Sequence, residues 1–468
     1  MPEDPAGRMT HGAWRKLRGL LEGKSAGSEQ SPIGGPKFLR DSATTFLTAV
    51  LALGIGTIQA AVVARTLLPE GKGALTAALI LPQLLAILTP LGLNWSATYH
   101  LGRRTFDRER LMRSVLTALL LLSAGAMILC LGVGFALRGV LLPGVPRSAF
   151  LLAVLLLPTQ VFLLSLGGLF RGEMRILEAN RMDLARSGLM FLGILVAIRV
   201  LRLGVIGVVL GQLLAEILVI IMAFRRLRGV PARPLLNGEI LRELTGYGLK
   251  VYSFTILLYL NYRFDLFMVR YLLDLRQTGL YATAVSLAEI LWMVPTSLGW
   301  VLFPSIARSG GAERDRLTLA VCRNAFWVML VLCGVLALSR NAVLRLFFGE
   351  PFLAASPALL AILPGILAMA IQLVLGSDLS GRGHPLPVTL AAALGLVTNF
   401  LLNLLWIPRY GIVGASLASS VSYSIIALVV IVAFLRISGA KVRDAFVLRR
   451  EDWGRVAGVF SKMREAAA

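Results

Sequence analysis

The sequence predicts an all-α integral membrane protein with about twelve transmembrane helices, and three observations support this prediction. First, 57% of the 468 residues are apolar and 15% are charged, whereas soluble proteins contain about 45–50% apolar and about 25% charged residues. Second, apolar blocks follow one another from Phe38 to Leu435, each close to the roughly 20 residues that cross a bilayer. Third, Lys and Arg concentrate in alternate intervals between these blocks. A soluble enzyme is therefore excluded.

The apolar blocks fall into two groups of six predicted spans, separated by a polar stretch. The chain then has a cytoplasmic polar tail (1–37), a first six-helix half (38–224), a cytoplasmic linker (225–250), a second six-helix half (251–435) and a basic cytoplasmic tail (436–468). The predicted spans are 42–64, 74–99, 114–137, 149–170, 184–201, 203–224, 251–273, 279–305, 319–338, 355–377, 386–407 and 411–435.

Both tails contain apolar residues at helical spacing. In the C-terminal tail the apolar stripe consists of Trp453, Val456, Val459, Phe460 and Met463. Because basic residues lie opposite this stripe, we expect an amphipathic helix on the membrane surface. A shorter stripe that begins at Trp14 fits either an interfacial helix or a disordered tail.

The distribution of basic residues predicts the orientation in the membrane. The N-terminal tail and every second loop hold 35 of the 47 Lys and Arg residues, the other loops hold 11, and Arg263 lies within a span. The positive-inside rule then places both termini in the cytoplasm. It also explains the net charge of +22 without a nucleic-acid partner.

The predicted external loops disfavour one class of membrane enzyme. They are short, and their acids are Glu70, Asp274 and Glu350. A membrane-embedded glycosyltransferase or glycan polymerase that acts on exported glycans needs acids or bases in a large external loop. We therefore expect a protein that is not an enzyme, with the glycosyltransferase or polymerase kept as the alternative of another class.

The two halves contain similar residues at similar positions, which indicates an internal duplication. Two alignments carry the similarity: residues 65–78 match 270–284 at a shift of 205–206, and residues 204–207 match 411–414 at a shift of 207. Because each half has six spans, both halves have the same orientation. Transporters built from such parallel repeats bind their substrate between the halves, near the bilayer midplane.

Several short motifs, in this order and spacing, resemble those of a known family. They are ARTLL (64–68), PLGLN (90–94), YRFD (262–265), TGLYA (278–282), LFFG (346–349) and IPRYG (407–411). The chain from about residue 38 to 436 resembles the polysaccharide or O-antigen (Wzx-type) flippases of the multidrug/oligosaccharidyl-lipid/polysaccharide (MOP) exporter superfamily.

The resemblance implies a function and an architecture. The function is transfer of an oligosaccharide linked to undecaprenyl diphosphate from the cytoplasmic to the outer leaflet of the bacterial inner membrane, for cell-surface polysaccharide synthesis. The architecture is two six-helix bundles around a V-shaped cavity. Cation-coupled drug exporters of the same superfamily share the duplication, so they are the alternative. A flippase predicts a cationic cavity, and a drug exporter predicts an acidic and aromatic one.

Charged residues within the spans are the first functional candidates, because burying a charge in a membrane is costly. Arg263 and Asp265 lie in the middle of the seventh span. Two positions on a helix are about 200° apart, so the two side chains face different ways, whereas Asn261 and Asp265 share a face. We interpret Arg263 as a phosphate-binding residue and Asp265 as part of an ion or proton relay. Structural pairing with neighbouring helices is the alternative for both, and outward snorkelling is a further alternative for Arg263.

Further candidates lie in other spans. Glu216 and Glu289 fall near mid-membrane and are candidates for coupling to a proton or cation, or are packing residues. The amides of Asn94, Asn261, Asn399 and Asn403 are candidates for sugar binding, with interhelical hydrogen bonding as the alternative. The cluster of Asp378, Arg382 and His384 is interpreted as part of a loop.

Cofactors and partners follow from the same patterns. The three cysteines lie inside apolar blocks without metal-ligand spacing, and residues 19–25 have three residues between their glycines where a phosphate loop has four. We therefore expect no cofactor and no metal. The expected partners are the lipid-linked oligosaccharide and membrane lipids. For the basic loops, docking of cytoplasmic glycan-assembly or polymerase proteins is an alternative to simple solvated charge.

Overall fold

The computed structural model describes residues 36–227, 233–296 and 311–447. Within these ranges the chain is helical and contains no β-strand. The α-helices are α1 (Pro36–Leu88), α2 (Leu93–Arg103), α3 (Arg108–Ala136), α4 (Arg138–Leu141), α5 (Arg147–Gly172), α6 (Ile176–Arg199), α7 (Gly204–Arg226), α8 (Gly238–Leu272), α9 (Leu275–Glu289), α10 (Gly311–Phe347), α11 (Ser356–Gly381), α12 (Leu386–Ser438) and α13 (Val442–Phe446). The predicted tail helices near Trp14 and Trp453 lie outside the described residues.

The helices account for the predicted spans in two ways. Eight helical segments in the described ranges are long and apolar enough to cross a membrane, and two of them, Thr44–Arg103 and Leu386–Ser438, each contain two predicted spans. The predicted spans 184–201 and 251–273 lie on α6 and α8, which are long but carry more charge. The prediction of an all-α membrane protein is confirmed, and the side of the termini stays a prediction.

Two of the long helices are interrupted where the sequence analysis predicts a loop. In α1 the break is at Leu68, with φ 59° and ψ 175°. The next residue, Pro69, has no N–H to donate and disfavours helical backbone at the residue before it. In α12 the break is at Gly411, with φ 57°, a left-handed conformation that glycine adopts without a Cβ clash. Each break therefore separates two predicted spans.

The duplication is visible in the structure as matched local features. Gly204 and Gly411, which align in sequence, have nearly identical positive φ values of 56° and 57°. Gly73 and Gly279, another aligned pair, pack against each other: a Cβ on Gly73 would lie 3.1 Å from the Gly279 nitrogen, and one on Gly279 would lie 2.8 Å from the Gly73 nitrogen. The two repeats therefore meet at equivalent residues.

An ion-pair network recurs in each half at shifts of 205–207 residues. In the first half Arg108 and Arg175 pair with Glu173, and in the second half Arg314 and Arg382 pair with Asp378. Each network joins the helix pair that contains the third and fourth, or the ninth and tenth, predicted spans. The predicted loop cluster at Asp378 is thus a structural network.

Arg382 shows how that network holds its charge. Burial lowers the pKa of a guanidinium, but hydrogen bonds to Asp378 and Asp315 raise the pKa of Arg382 above its ordinary value. The Nε of Arg382 lies 2.5 Å from Asp378 Oδ2 and its Nη2 lies 2.5 Å from Asp315 Oδ1. The arginine is therefore held positive between two carboxylates, which ties α11 to α10.

The two halves contact each other closely at one end of the molecule, here called the Gly73 end. It comprises residues 65–73, 138–146, 270–279 and 345–352, which correspond to predicted external loops. A Cβ on Gly73 would lie 1.7 Å from the Leu275 carbonyl oxygen, and one on Gly279 would lie 1.9 Å from that of Pro69. Glycine at both positions thus lets α1 and α9 approach backbone to backbone.

At the other end of the molecule the halves meet along α2 and α8. Gly92, with φ 79°, contacts Gly248, where a Cβ on Gly92 would lie 2.4 Å from the Gly248 carbonyl oxygen. The rings of Tyr99 and Tyr247 stack with centroids 4.6 Å apart. The Tyr252 hydroxyl donates a 2.5 Å hydrogen bond to the Ile87 carbonyl. This seam encloses one side of the space between the halves.

Candidate substrate cavity

A cavity of about 640 Å³ lies between the two halves, within the range of about 300–1,000 Å³ that is typical of ligand sites. The first half contributes most of its wall, and α8 and α9 of the second half contribute Tyr259, Arg263 and Ser286. The ionisable lining residues other than tyrosine are Lys72, Arg171, Asp183, Arg186 and Arg263. The wall of the cavity is therefore mainly basic.

Arg263 is the predicted site residue that lines the cavity. It lies on α8, and its Nη1 and Nη2 donate to the two carboxylate oxygens of Glu289 at 3.2 Å each. The Arg263 side chain is 36% exposed and that of Glu289 is 17% exposed. The two-pronged pairing fixes the plane of the guanidinium, and Glu289, a predicted coupling residue, lies beside the cavity as its partner.

Arg186 is held in the cavity wall by Glu216, another predicted coupling residue. Its Nη2 donates to Glu216 Oε1 at 2.6 Å, and the same carboxylate accepts bonds from Thr159 at 2.5 Å and Gln212 at 3.1 Å. The Glu216 side chain is fully buried, whereas that of Arg186 is 40% exposed. The carboxylate therefore lies behind the arginine, and the arginine is the part that faces the cavity.

A third basic group comes from Arg171 at the end of α5. Its Nη2 lies 3.1 Å from Asp183 Oδ2, and both side chains are about half exposed. Because the pair is solvated, it adds little to stability. It places a third guanidinium in the same wall as Arg186 and Arg263.

Arg171 and Arg186 are not among the residues predicted from the sequence, because both belong to the set of basic residues assigned to a cytoplasmic loop. Arg186 nevertheless lies three residues into the predicted span 184–201. The rule that singled out Arg263, a charge inside a span, could have found it. Arg171 lies just outside a predicted span and carried no such signal.

Asp265 and Asn261 lie on the opposite side of α8 from Arg263, as helical spacing predicts. Both are fully buried. Tyr281 and Ser419 donate their hydroxyls to Asp265, the latter at 3.0 Å, and Asn261 Nδ2 donates to Ser422 at 3.2 Å. This polar network joins α8 to α9 and α12, away from the cavity wall.

The other predicted asparagines are also buried between helices. Asn403 Nδ2 donates to Asn399 Oδ1 at 2.7 Å, and Asn399 Nδ2 donates to Ser419 at 3.3 Å. Asn94 is buried in α2, where its main-chain carbonyl accepts a 2.8 Å bond from the Thr98 hydroxyl. In the described part of the chain, the amides that line the cavity belong instead to four glutamines: Gln59, Gln83, Gln160 and Gln212.

In the described ranges, no group of three or more His, Cys, Asp or Glu residues comes together as a metal site. Cys130, Cys322 and Cys333 are free and buried among apolar side chains, so they act as packing residues.

The fold and the cavity define a multi-pass membrane protein with the architecture of MOP superfamily transporters. The structural match to an outward-facing multidrug resistance MATE family transporter of that superfamily covers 90% of this chain and 98% of that protein (TM-score 0.63, 16% identity). The structural match to the lipid II flippase MurJ in an inward closed conformation covers 86% of this chain and 90% of that protein (TM-score 0.68, 14% identity).

The chain belongs to the family described as polysaccharide biosynthesis protein, whose model matches residues 62–371. The predicted family resemblance is thereby confirmed.

Two curated proteins are similar over part of their sequences. One is "Probable low-salt glycan biosynthesis flippase Agl15" of Haloferax volcanii, 22% identical over 34% of this chain and 35% of that protein. The other is an uncharacterized membrane protein, MJ1068, of Methanocaldococcus jannaschii, 25% identical over 40% of this chain and 38% of that protein. The matched stretch thus spans little more than a third of each relative.

Proposed function

We propose that this protein moves an oligosaccharide linked to undecaprenyl diphosphate from the cytoplasmic to the outer leaflet of a bacterial inner membrane, by alternating access between its two halves. The observation that carries the proposal is the basic wall of the cavity, with Arg171, Arg186 and Arg263 in one space. A diphosphate is doubly charged or more, and a guanidinium binds phosphate oxygens through paired, charge-assisted hydrogen bonds.

The carboxylate partners position these arginines without occupying all of their donors. A guanidinium has five N–H donors, and Arg186 uses one nitrogen, Nη2, to contact Glu216. Its Nε is buried, so Nη1 remains for a ligand. An arginine that is already fixed by a buried carboxylate loses less conformational freedom when phosphate binds, which favours affinity.

The glutamines of the wall suit the sugar part of such a substrate. Gln59, Gln83, Gln160 and Gln212 line the same cavity as the arginines. A primary amide both donates and accepts hydrogen bonds, which matches hydroxyl groups. In our proposal these glutamines bind the sugars, a role that the sequence analysis assigns to asparagines. Asn261, Asn399 and Asn403 would contribute through their buried hydrogen bonds, which hold the helices in register.

Ion coupling is proposed to involve the carboxylates that hold the arginines. A phosphate that binds Arg263 or Arg186 competes with Glu289 or Glu216 for the same positive charge. A carboxylate whose ion pair with arginine is weakened in this way then becomes a site for a proton or cation. Asp265 lies in the adjacent hydrogen-bonded network of α8 and would act through Tyr281 and Ser419.

The lining favours this substrate class over a cationic drug. A cation-coupled drug exporter calls for acids and aromatic rings in the wall, whereas the wall here carries four basic residues, one acid and the single ring of Tyr259. Solvated positive charge is a sufficient explanation for the basic loops. Docking of cytoplasmic glycan-assembly proteins to these loops is an additional partner interaction that the proposed function does not require.

The test is the leaflet accessibility of lipid-linked glycans. Spheroplasts of the native cells, with the gene deleted or complemented, are treated with a membrane-impermeant glycan-labelling enzyme before and after lysis. We expect deletion to leave the glycans accessible only after lysis. Complementation with Arg263→Ala should restore about 1–10% of the wild-type rate, since a charge-assisted hydrogen bond contributes about 1.5–3 kcal/mol.

Arg409→Ala is the matched control, because Arg409 is exposed next to the Gly411 break and does not line the cavity. It should restore export in full. If glycans in the deletion strain remain accessible before lysis, the proposed function is wrong.

A further inference from the structure

Two arginines at the Gly73 end reach from each half to the other. Arg65, on α1, donates through Nε to the Phe347 carbonyl at 3.1 Å and through Nη2 to the carbonyls of Leu346 and Arg345. All of these acceptors lie at the end of α10, in the second half. The helix end supplies carbonyls with no partner inside the helix and a partial negative charge, which suits a guanidinium.

Arg270 makes the reciprocal contact. It lies on α8 in the second half, and it donates through Nε to the Leu141 carbonyl and through Nη2 to the Pro143 carbonyl, each at 2.9 Å. These acceptors lie at the end of α4 and just beyond it, in the first half. A third, longer bond of 3.3 Å goes to Leu273 in its own half.

Arg65 and Arg270 are counterparts in the internal duplication, at a shift of 205 residues. The acceptor segments correspond as well, since each lies between the third and fourth spans of its half. The contact of one half with the other is therefore made twice, once in each direction. A chance surface contact has no reason to recur in this way.

Other contacts at the Gly73 end also cross between the halves. The ammonium of Lys72 lies 5.1 Å from the ring centroid of Phe348, and a Cβ on Gly144 would lie 2.8 Å from Leu275 Cδ1. These contacts are steric or diffuse, whereas those of the two arginines are directional. If the halves separate at this end, each arginine must give up its acceptors in the other half.

We propose that Arg65 and Arg270 form a two-armed latch that holds the Gly73 end closed and sets how readily the cavity opens to that side. They are positioning residues, since neither lines the cavity. The inference rests on the proposed function for its role in transport, because alternating access requires this end to open. The latch itself can be tested without any substrate.

The experiment follows opening with a thiol in the cavity. Ser286 lines the cavity on α9, and Ser286→Cys is made in the full-length protein, with and without Arg65→Ala or Arg270→Ala. A membrane-impermeant maleimide is applied to intact cells and to inverted vesicles, so that each face is probed. The protein without Ser286→Cys gives the background from the three native cysteines.

We expect either arginine variant to speed labelling from the Gly73 face about tenfold, which corresponds to about 1.4 kcal/mol, and the two together to speed it further. Arg276→Ala is the matched control: Arg276 is exposed on α9 at the same end and should leave the rate unchanged. Equal labelling of both arginine variants and the control, from both faces, would overturn the latch.

Two further results keep the outcome unambiguous. If the alanine variants do not accumulate, Arg65→Lys and Arg270→Lys carry the test, because lysine keeps the charge but cannot fork across two carbonyls; their labelling should rise by a smaller factor, and an unchanged rate contradicts the latch.

If labelling shifts as expected while glycan export persists in the deletion strain, the latch stands and the proposed function falls. If export depends on the protein but labelling does not shift, the latch alone falls.

Discussion

Glu216 and its three hydrogen-bond donors show how single residues shape the cavity. The carboxylate is fully buried, and Thr159, Gln212 and Arg186 all donate to it. A buried carboxylate is stable only when it is paired and hydrogen-bonded. At this site the carboxylate takes the buried position and the guanidinium the exposed one, so the ion pair presents positive charge to the cavity.

Removing Glu216 should therefore destabilise the protein. We expect Glu216→Ala to lower the free energy of unfolding by about 2–3 kcal/mol, because two buried donors and one arginine lose their acceptor. The value lies just below the about 3–5 kcal/mol expected for a fully buried pair, because Arg186 is 40% exposed and its charge keeps access to solvent in the cavity. Thermal unfolding of the purified protein in detergent measures the change.

A paired substitution separates lost charge from lost packing. In Glu216→Gln/Arg186→Gln both charges are removed together, and we expect most of the stability to return while export stays low. Recovery of export by this double variant would contradict the role of Arg186 in the cavity.

At the scale of elements, the contact of α1 with α9 depends on glycine at two repeat-related positions. A side chain at Gly73 or Gly279 would place its Cβ inside the carbonyl group of the opposite helix, at 1.7 Å and 1.9 Å from the oxygen. Backbone atoms cannot be displaced without moving the whole helix. The closed Gly73 end therefore exists only because both residues lack a Cβ.

We expect Gly73→Ala to hold α1 and α9 apart and so to favour opening of the Gly73 end. Labelling of a cysteine at position 286 from that face should rise at least as much as in the Arg65 variant, while the free energy of unfolding changes little or falls. The control is Gly132→Ala on α3, where a Cβ would meet nothing within 4 Å. Unchanged labelling in Gly73→Ala would show that the contact does not close this end.

At the scale of the whole molecule, the charge distribution and the duplication predict how the protein lies in the membrane. The tails and every second loop carry 35 Lys and Arg residues against 11 in the other loops. The Gly73 end contains the basic-poor loops, so it should face outward. The cavity would then alternate between the cytoplasm and the outer leaflet.

Two exposed positions test this orientation. Glu350 lies at the Gly73 end with a 64% exposed side chain, and Arg110 is exposed near the opposite end. We expect Glu350→Cys to react with an impermeant maleimide in intact cells and Arg110→Cys to react only after the membrane is permeabilised. The reverse pattern would place both termini outside.

Much of the fold could be predicted because it depends on local properties of the chain. Block length and composition predicted the helices, and spacing along α8 predicted that Arg263 and Asp265 face different ways. The four asparagines were harder to interpret. An amide in a span fits either a sugar site or a bond between helices, and a single helix carries no information about what faces it.

The sequence by itself determined the membrane environment, the helical class, the duplication and the arginine of α8, since each follows from composition, periodicity or repetition. The tertiary structure alone decided which charges share a space. Arg263 lies more than 70 residues along the chain from Arg171 and Arg186, and Arg65 and Arg270 find their acceptors about 280 and 130 residues away. Such contacts depend on how the helices pack, and packing is settled by the shapes of all the side chains together.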